Sequence, residues 1–494
     1  MNKNKTQYDL IIIGGGASAS FLVLQVLKKN PAFRVAILEK EESFPPKLGE
    51  SIVDQTALFL KSLALEHVLE KHALKTGVRF LFNESNSKDI HEIAEFASPT
   101  LPGYIKAYHL NRPVFDEDLL QTCIERGAIV YRPVQIIKTK FEPFYNELEI
   151  EVDGNQSTIH AKWCVDATGR ARYFHNELGW KDLKINLNTG ALMAHFTHVS
   201  LPSEWDTPRN AYWETQSIGS RAYSTTHLMR KNAWWWIIKL DEDTTSIGMV
   251  FDKNMIQFED ATAYFEDQFT TDAQLKALTK NASHGPVRHV EQIAYVSEKL
   301  FTKGQAVIGD SGAFIDPLIS PGLELIGQQS IWLTELLTAD LGLNGYNEKA
   351  WKKYEKTFLK AYRSRLLIYE NAYGLMDSYD LFSAWLRQGN FVYFGFIVYP
   401  TVLFKSRLKH PLQFNFIERN ALLYFARRFK KIHQRRAAQQ RISSTSKNTI
   451  AYSGVRVPKS PRLLLMPFSL FFSAIFAYFR VEWIEIRCFF AKKR

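Results

Sequence analysis

The sequence is poor in cysteine and begins without a recognisable signal peptide. Its three cysteines, Cys123, Cys164 and Cys488, lie far apart without paired spacing, which argues against a zinc site and against a disulfide framework. The opening residues, MNKNKTQYDL, have neither an apolar core nor a cleavage site. We therefore expect a protein of the reducing cytoplasm that binds no metal.

The chain has 494 residues, of which 46% are hydrophobic and 23% are charged. This is the composition of an ordinary globular protein, which excludes wholesale disorder and a protein with many membrane spans. The length predicts two or three packed units. We therefore expect room for a sizeable active-site cavity.

The net charge of +11 is concentrated near the C-terminus. Between Arg419 and Arg480 there are thirteen Lys or Arg residues and no Asp or Glu, so the rest of the chain is slightly acidic. Such a region is typical of attachment to an anionic membrane surface or to nucleic acid. Because no stacking platform or recognition motif accompanies the charge, we expect no nucleic-acid partner.

The order of apolar runs predicts an α/β fold. A strand at 8–13, a tight turn, a helix to about residue 29 and a strand at 33–38 open the chain. We expect a Rossmann-like domain followed by a β-rich substrate domain and a helical C-terminal region. The predicted boundaries are 1–179 with 299–340 returning to it, then 180–298, 341–442 and a tail at 443–494 that begins with a polar linker at 443–448.

A glycine-rich turn joins the first strand to the first helix. Gly14, Gly16 and Ala19 match the pattern GxGxx(G/A), and Glu39 follows about 20 residues further on. Small residues let a helix N-terminus approach a diphosphate, and a carboxylate at the end of the second strand accepts ribose hydroxyls. The pattern therefore predicts dinucleotide binding rather than a glycine turn without a ligand.

Four dispersed residues decide between FAD and NAD. Arg112, Asp166, Gly309 and Asp310 stand in NRPVFDEDLL, DATGR and VIGDSGAF, and their order resembles the FAD motifs of the flavoprotein monooxygenase superfamily. The resemblance implies that the cofactor is FAD. It also implies that Asp310 holds the ribityl chain or a hydroxyl near the phosphates.

The number of glycine-rich units in the sequence indicates where the reducing equivalents come from. The chain has one glycine-rich strand-helix-strand unit, which leaves no separate domain for NAD(P)H. We therefore expect a separate NAD(P)H-dependent flavin reductase as a partner. Glu50 and Ser51 are further candidate cofactor-binding residues.

A tryptophan-rich segment indicates which family within that superfamily the chain resembles. Trp234, Trp236 and Ile238 match WxWxIP, a motif of the flavin-dependent halogenases, with Lys239 where the motif has proline. The resemblance implies that this segment separates the substrate from the flavin. The alternative is a half-buried strand that carries aromatic residues at alternating positions.

A second halogenase motif, FxxPxxSxG, is matched in full by residues 314–322. Pro317, Ser320 and Gly322 occupy its defined positions. The resemblance implies that this loop lines the flavin and the halide site. Pro317 and Gly322 would then contact the cofactor, and Ser320 would belong to the catalytic residues.

A third motif that resembles those of the halogenases contains a lysine. Lys75 opens KTGVRF, which resembles the KxGxxF motif of the phenolic halogenases. The resemblance implies that hypohalous acid reaches Lys75, which delivers the halogen to an electron-rich ring. An ammonium can polarise the acid, whereas a free amine, which burial favours, can itself be halogenated. The alternative is a solvated lysine before a turn glycine.

The chain is thus identified as similar to the flavin-dependent halogenases over roughly residues 7–340. The resemblance implies a two-component enzyme that uses reduced FAD, O₂ and a halide ion on a small aromatic substrate. Ile319 stands where tryptophan halogenases have a glutamate, which points to phenol or pyrrole substrates. Pro321 removes a backbone N–H expected at the halide site, so an aromatic hydroxylase is the main alternative. A flavin- or lipid-binding protein without catalysis is the other.

The C-terminal tail combines a basic and an apolar segment. Residues 421–441 mix aromatic and aliphatic residues with seven Lys or Arg at helical spacing, as an interfacial amphipathic helix does. Residues 463–479 are uncharged but short for a membrane span, and Pro467 interrupts them. We expect peripheral attachment at the inner face of the membrane, or a solvated basic face beside an apolar helix docked on the body.

Overall fold

The computed structural model describes the greater part of the chain. The described residues are 5–82, 93–100, 105–201, 213, 215, 217–342, 345–404, 416–438, 450–452 and 466–491. The polar linker predicted at 443–448 and the start of the apolar run at 463–465 lie outside them.

Strands dominate the first two thirds of the chain. Their bounds are β1 Lys5–Ile13, β2 Val35–Leu38, β3 Ala73–Lys75, β4 Gly77–Phe82, β5 Ala94–Pro99, β6 Ala107–His109, β7 Ile129–Tyr131, β8 Gln135–Glu142, β9 Tyr145–Val152, β10 Asn155–Asp166, β11 Thr189–Thr197, β12 Ser224–Arg230, β13 Ala233–Lys239, β14 Thr244–Asp252, β15 Ser283–His284, β16 Arg288–Val290, β17 Tyr295–Val296, β18 Gln305–Val307, β19 Ala313–Phe314 and β20 Ile450–Tyr452.

Helices connect the strands and dominate the C-terminal part. Their bounds are α1 Ala17–Lys29, α2 Asp54–Ser62, α3 Glu66–Leu69, α4 Arg112–Glu125, α5 Tyr173–Leu178, α6 Ala261–Thr271, α7 Ala273–Leu278, α8 Gly322–Leu341, α9 Glu348–Tyr373, α10 Tyr379–Val392, α11 Tyr399–Phe404, α12 Phe416–Ala438 and α13 Met466–Ala491. A π-helical turn, Tyr393–Val398, links α10 to α11.

The first sheet has seven strands within the described residues, in the order β7-β2-β1-β10-β9-β8, with β18 beside β10. β1 is parallel to both β2 and β10, and β10 is parallel to β18. Leu10, Ile11 and Ile12 are fully buried, as expected for a parallel sheet that is covered on both faces. The predicted Rossmann-like strand, turn, helix and strand are confirmed.

The second sheet has nine strands in the described part of the chain, in the order β15-β11-β14-β13-β12-β4-β5-β20, with β16 beside β11. Side chains of β13 pack alternately into two separate hydrophobic cores. Trp235 packs against Phe265 of α6, whereas Trp234 and Trp236 face the main core. Because β4 and β5 come from the N-terminal part of the chain, this sheet ties that part to the β-rich middle. The predicted division into units stays a prediction.

Helices α9 to α13 form a layer beside the second sheet. α13 contacts α10, where Gln388 Nε2 donates to Ala474 O at 2.7 Å. Two ion pairs, Arg428–Glu482 at 2.6 Å and Arg436–Glu485 at 2.7 Å, join α12 to α13. The predicted helical C-terminal region is confirmed. None of the described helices is both long enough and apolar enough to cross a membrane.

Candidate active site

The turn between β1 and α1 has the conformation that its glycines predict. Gly14 has a φ of +98°, and a Cβ there would lie 2.6 Å from the carbonyl oxygen of Ala167, so a side chain is excluded. Gly15 N donates to Glu39 Oε2 at 2.7 Å, which ties this turn to the end of β2. Gly16 caps α1 without a side chain. The helix N-terminus is therefore accessible to a large anion.

Charged side chains surround that helix N-terminus. A Cβ on Gly16 would lie 3.3 Å from Lys47 Nζ and 3.7 Å from Asp116 Oδ2. Lys47 pairs with Asp116 at 2.5 Å, and Arg112 Nη2 lies 3.1 Å from the same carboxylate. Burial raises the pKa of Asp310, while nearby cations, Arg112 and Lys47 among them, oppose that rise. Cations beside an uncovered helix N-terminus fit the diphosphate of FAD, and a carboxylate beyond them fits its hydroxyls.

Three of the predicted FAD residues lie at or just beyond the ends of adjacent parallel strands. β1, β10 and β18 end side by side, so Gly14, Asp166 and Gly309 lie at one edge of the sheet. Asp166 accepts hydrogen bonds from Thr168 N at 2.9 Å and from Phe174 N at 3.0 Å, so it shapes the turn after β10. Ligands of α/β sheets bind at this carboxyl edge. Ala19 is buried on α1 behind the turn.

Glu50 and Ser51 contact a different region. Glu50 is buried, and its Oε1 lies 2.5 Å from Nε2 of His195 on β11. Ser51 Oγ accepts a hydrogen bond from Lys75 Nζ at 2.9 Å. Glu50 thus contacts the second sheet and Ser51 contacts Lys75, so a part for these two residues in FAD binding stays a prediction.

A cavity of about 230 Å³ lies between the second sheet and the C-terminal helices. Lys75, Ser320 and Pro321 all line it, so the structure brings the lysine and the loop of the second motif together. Most of the wall is apolar or aromatic. Its apolar and aromatic members include Ile52, Val78, Phe80, Phe96, Leu318, Ile368, Tyr369, Trp385, Leu386, Val392, Phe394 and Ile397.

Lys75 is buried at the end of β3. Burial lowers its pKa to about 8, and the carboxylate of Asp54, which lines the same cavity, acts in the opposite direction. Burial raises the pKa of Asp54 itself to about 6. The alternative of a solvated lysine is therefore wrong.

A chain of hydrogen bonds leads away from Lys75. Nζ of Lys75 contacts Ser51 Oγ at 2.9 Å, and Ser51 Oγ lies 3.2 Å from Oγ1 of Thr225. Thr225 Oγ1 lies 2.8 Å from Nε2 of His109, whose Nδ1 lies 2.9 Å from the carbonyl oxygen of Lys239. Four separate segments of the chain thus meet behind the lysine.

The loop of the second motif is held in a strained conformation. Ser320 has a φ of +54°, which is unfavourable for a residue with a side chain. Its N–H donates to Pro317 O at 2.9 Å. Asp316 is fully buried, receives a hydrogen bond from Tyr373 at 2.6 Å, and has a pKa that burial raises to about 7. Gly322 is the first residue of α8.

The two motif tryptophans lie one layer behind the cavity. Neither Trp234 nor Trp236 belongs to the described residues that line it. Trp234 packs against His227 with ring centroids 5.5 Å apart, and its Nε1 donates to Tyr373 OH at 3.1 Å. Trp236 Nε1 donates to Ser246 Oγ at 3.0 Å. Through Tyr373 and Asp316, Trp234 is connected to the loop of the second motif.

Comparison with known proteins shows the family of the chain. A family model described as tryptophan halogenase matches residues 85–363, more than half of the chain. The flavin-dependent halogenase armH3 of Armillaria mellea is 23% identical over 73% of each chain. A tryptophan 2-halogenase of Chondromyces crocatus is 24% identical over 64% of this chain and 58% of its own. The chain belongs to this halogenase family.

Solved structures support the fold of this halogenase. The halogenase PltM, crystallised with phloroglucinol and FAD, superposes with a TM-score of 0.74 at 18% identity, over 88% of this chain and 93% of that one. The family is flavin-dependent, so FAD is the cofactor of this chain and it is an oxidoreductase.

Several cavity residues of this halogenase carry no sequence signal. Asp54, Thr225 and His227 lie in segments without a motif, and Trp385 and Tyr369 come from the C-terminal helices. They become visible only when strands and helices distant in sequence pack together. The uncharged stretch 388–404 is the one signal that could have indicated a buried wall.

Proposed function

We propose that this halogenase transfers a halogen to an electron-rich phenolic ring. One observation carries the proposal: Lys75 and the Ser320–Pro321 segment line a single cavity whose wall is mostly apolar. Ile319, in the position where the tryptophan enzymes have a glutamate, favours a ring that is activated by its own hydroxyl. The apolar wall favours a lipophilic substrate.

The residues of the cavity suit this chemistry. When bound and reduced, FAD supplies with O₂ the two-electron oxidation of halide to hypohalous acid. Lys75 then activates the acid, the ring carbon forms its bond to the halogen, and the hydroxide that leaves takes the ring proton as water. The apolar wall keeps bulk water from the reactive acid.

Whether the enzyme is a halogenase or a hydroxylase depends on its ability to bind halide. Pro321 has no N–H to donate, but Gly322 begins the 20-residue helix α8, and its N–H is free of the helix ladder. A helix N-terminus favours an anion. We propose that Gly322 contacts the halide, with Pro317 and Gly322 beside the flavin and Trp234 bracing the loop.

Product masses test the proposal. The purified chain is incubated with FAD, a flavin reductase, NADH and a panel of phenols, with bromide, chloride or no added halide. We expect bromide to give a product with the paired isotope masses of bromine, and no product without halide. A product that gains one oxygen whether or not halide is present would replace the halogenase with the hydroxylase.

We further propose that the tail attaches the enzyme to an anionic membrane surface. On α13 the exposed side chains of Phe472, Phe476, Phe479 and Trp483 recur at helical spacing, and each is more than half exposed. Arg427, Lys431 and Arg435 of the adjacent helix α12 are also exposed. An aromatic face beside basic side chains is typical of an interfacial helix.

A further inference from the structure

The hydrogen-bond chain behind Lys75 has a direction that its chemistry fixes. The carbonyl oxygen of Lys239 can only accept, so Nδ1 of His109, 2.9 Å away, carries the proton. Neutral imidazole has a single N–H, which leaves Nε2 of His109 as an acceptor. Thr225 therefore donates its hydroxyl proton to His109.

The donors and acceptors between Thr225 and Lys75 are fixed in the same way. Because the only proton of the Thr225 hydroxyl is committed to His109, Thr225 accepts from Ser51. The Ser51 hydroxyl has then used its only proton, so towards Nζ of Lys75 it can only accept. Every hydrogen bond in the chain thus points away from Lys75.

A second proton on His109 would make its Nε2 a donor and reverse the hydrogen bonds, but His109 stays neutral. Its side chain is completely buried. Burial, with the nearby charge of Lys75, lowers the pKa of His109 to about 3. Its imidazole is therefore neutral at physiological pH.

We propose that Ser51, Thr225 and His109 are positioning residues that hold Lys75 as an ammonium group facing the cavity. An acceptor fixed beside Nζ stabilises the charged form and offers nothing to the lone pair of the neutral amine. The ammonium polarises hypohalous acid by donating to it, so the chain selects this mode over halogenation of the amine. The inference rests on the proposed role of Lys75.

Thr225→Val and Thr225→Ser form a matched pair of variants. Valine has nearly the same shape but breaks the chain, so the Ser51 hydroxyl becomes free to donate to a neutral Lys75. Serine restores the hydroxyl. Ser51→Ala removes the acceptor directly and gives a second, independent break.

The first measurement needs neither flavin nor turnover. Competitive acetylation across pH, read by peptide mass, gives the pKa of Lys75 in the purified chain. We expect Thr225→Val and Ser51→Ala to lower that pKa by about one unit, the size of one hydrogen bond, and Thr225→Ser to leave it close to wild type. An unchanged or raised pKa in both broken variants would overturn the inference.

The second measurement is the halogenation rate relative to flavin oxidation at pH 7 and at pH 9. We expect about a two-fold loss in Thr225→Val at pH 7 and about a ten-fold loss at pH 9, because a pKa lowered by about one unit from about 8 leaves about half of Lys75 protonated at pH 7, with flavin oxidation unchanged and the rate restored in Thr225→Ser. Equal rates in the three proteins would contradict the positioning role. If Lys75→Ala halogenates normally while the pKa shifts appear, the proposed function fails and the hydrogen-bond chain stands.

Discussion

At the scale of single residues, the protonation of Lys75 governs the proposed chemistry. Three ionisable groups interact with it electrostatically, Asp54 on α2, His109 on β6 and His227 on β12, and Glu324 of α8 lines the same cavity. Burial raises the pKa of Asp54 to about 6 and lowers the pKa of each histidine to about 3. Between pH 7 and pH 9, therefore, Lys75 changes charge and those three groups do not.

The pH dependence of halogenation follows from that assignment. Burial lowers the pKa of Lys75 to about 8, so the ammonium is present below this pH and is lost as the pH rises through it. We expect the ratio of halogenated product to oxidised flavin to fall above about pH 8. A methoxyarene substrate, which cannot ionise, serves as the control for substrate ionisation. A ratio that rises through pH 8 would show that the free amine is the working form.

The sequence predicted Lys75 and Ser320 because each stands in a short continuous motif. Thr225 and His109 could not be predicted in the same way. They come from β12 and from the end of β6, and only the pairing of strands distant in sequence brings them behind Lys75. Lys47, which lies over the turn at Gly16, was missed because its neighbours Pro45 and Pro46 read as an ordinary loop.

At the scale of elements, the strands and the first helix were the most predictable features. β1, α1 and β2 follow apolar runs and a glycine turn, which are local signals. The helices α9 and α10 were predicted as helices, but their place in the cavity wall was not. Side chains such as Trp385 and Ile368 look like ordinary core residues until the second sheet packs against them.

The last helix carries a prediction of its own. α13 docks on α10 and α12 through buried Ala474 and Val481, so deleting the tail would uncover core. Replacing Phe472, Phe476 and Phe479 by serine, together with Trp483→Ser, alters only the exposed face. We expect the full-length protein to sediment with anionic liposomes and this variant to stay in the supernatant.

Salt and a matched variant separate the contributions to that binding. Each exposed Lys or Arg near an anionic surface contributes on the order of 1 kcal/mol, which salt screens, so high salt should release part of the full-length protein. The control, Ile129→Ser with Ile137→Ser, removes exposed apolar side chains from the first sheet and should sediment like wild type. Equal sedimentation of the α13 variant and wild type would end the membrane proposal and weaken the case for a lipophilic substrate.

At the scale of the whole molecule, the fold separates two tasks. The carboxyl edge of the first sheet provides the residues that fit FAD, and the cavity lies between the second sheet and the C-terminal helices. The loop at 314–322 connects the two, because it follows the segment of Asp310 and also lines the cavity. The candidate FAD site and the cavity therefore share this loop.

The most direct test of this account is a single-turnover comparison of wild type with Lys75→Ala. Reduced flavin, O₂, bromide and a phenol are mixed, flavin absorbance and product mass are followed, and Lys71→Ala, an exposed lysine paired with Asp118, is the control. We predict that Lys75→Ala oxidises flavin at the wild-type rate but forms no brominated phenol, while Lys71→Ala does both. Bromination by Lys75→Ala at the wild-type rate would contradict the central claim that Lys75 activates the hypohalous acid for transfer of the halogen.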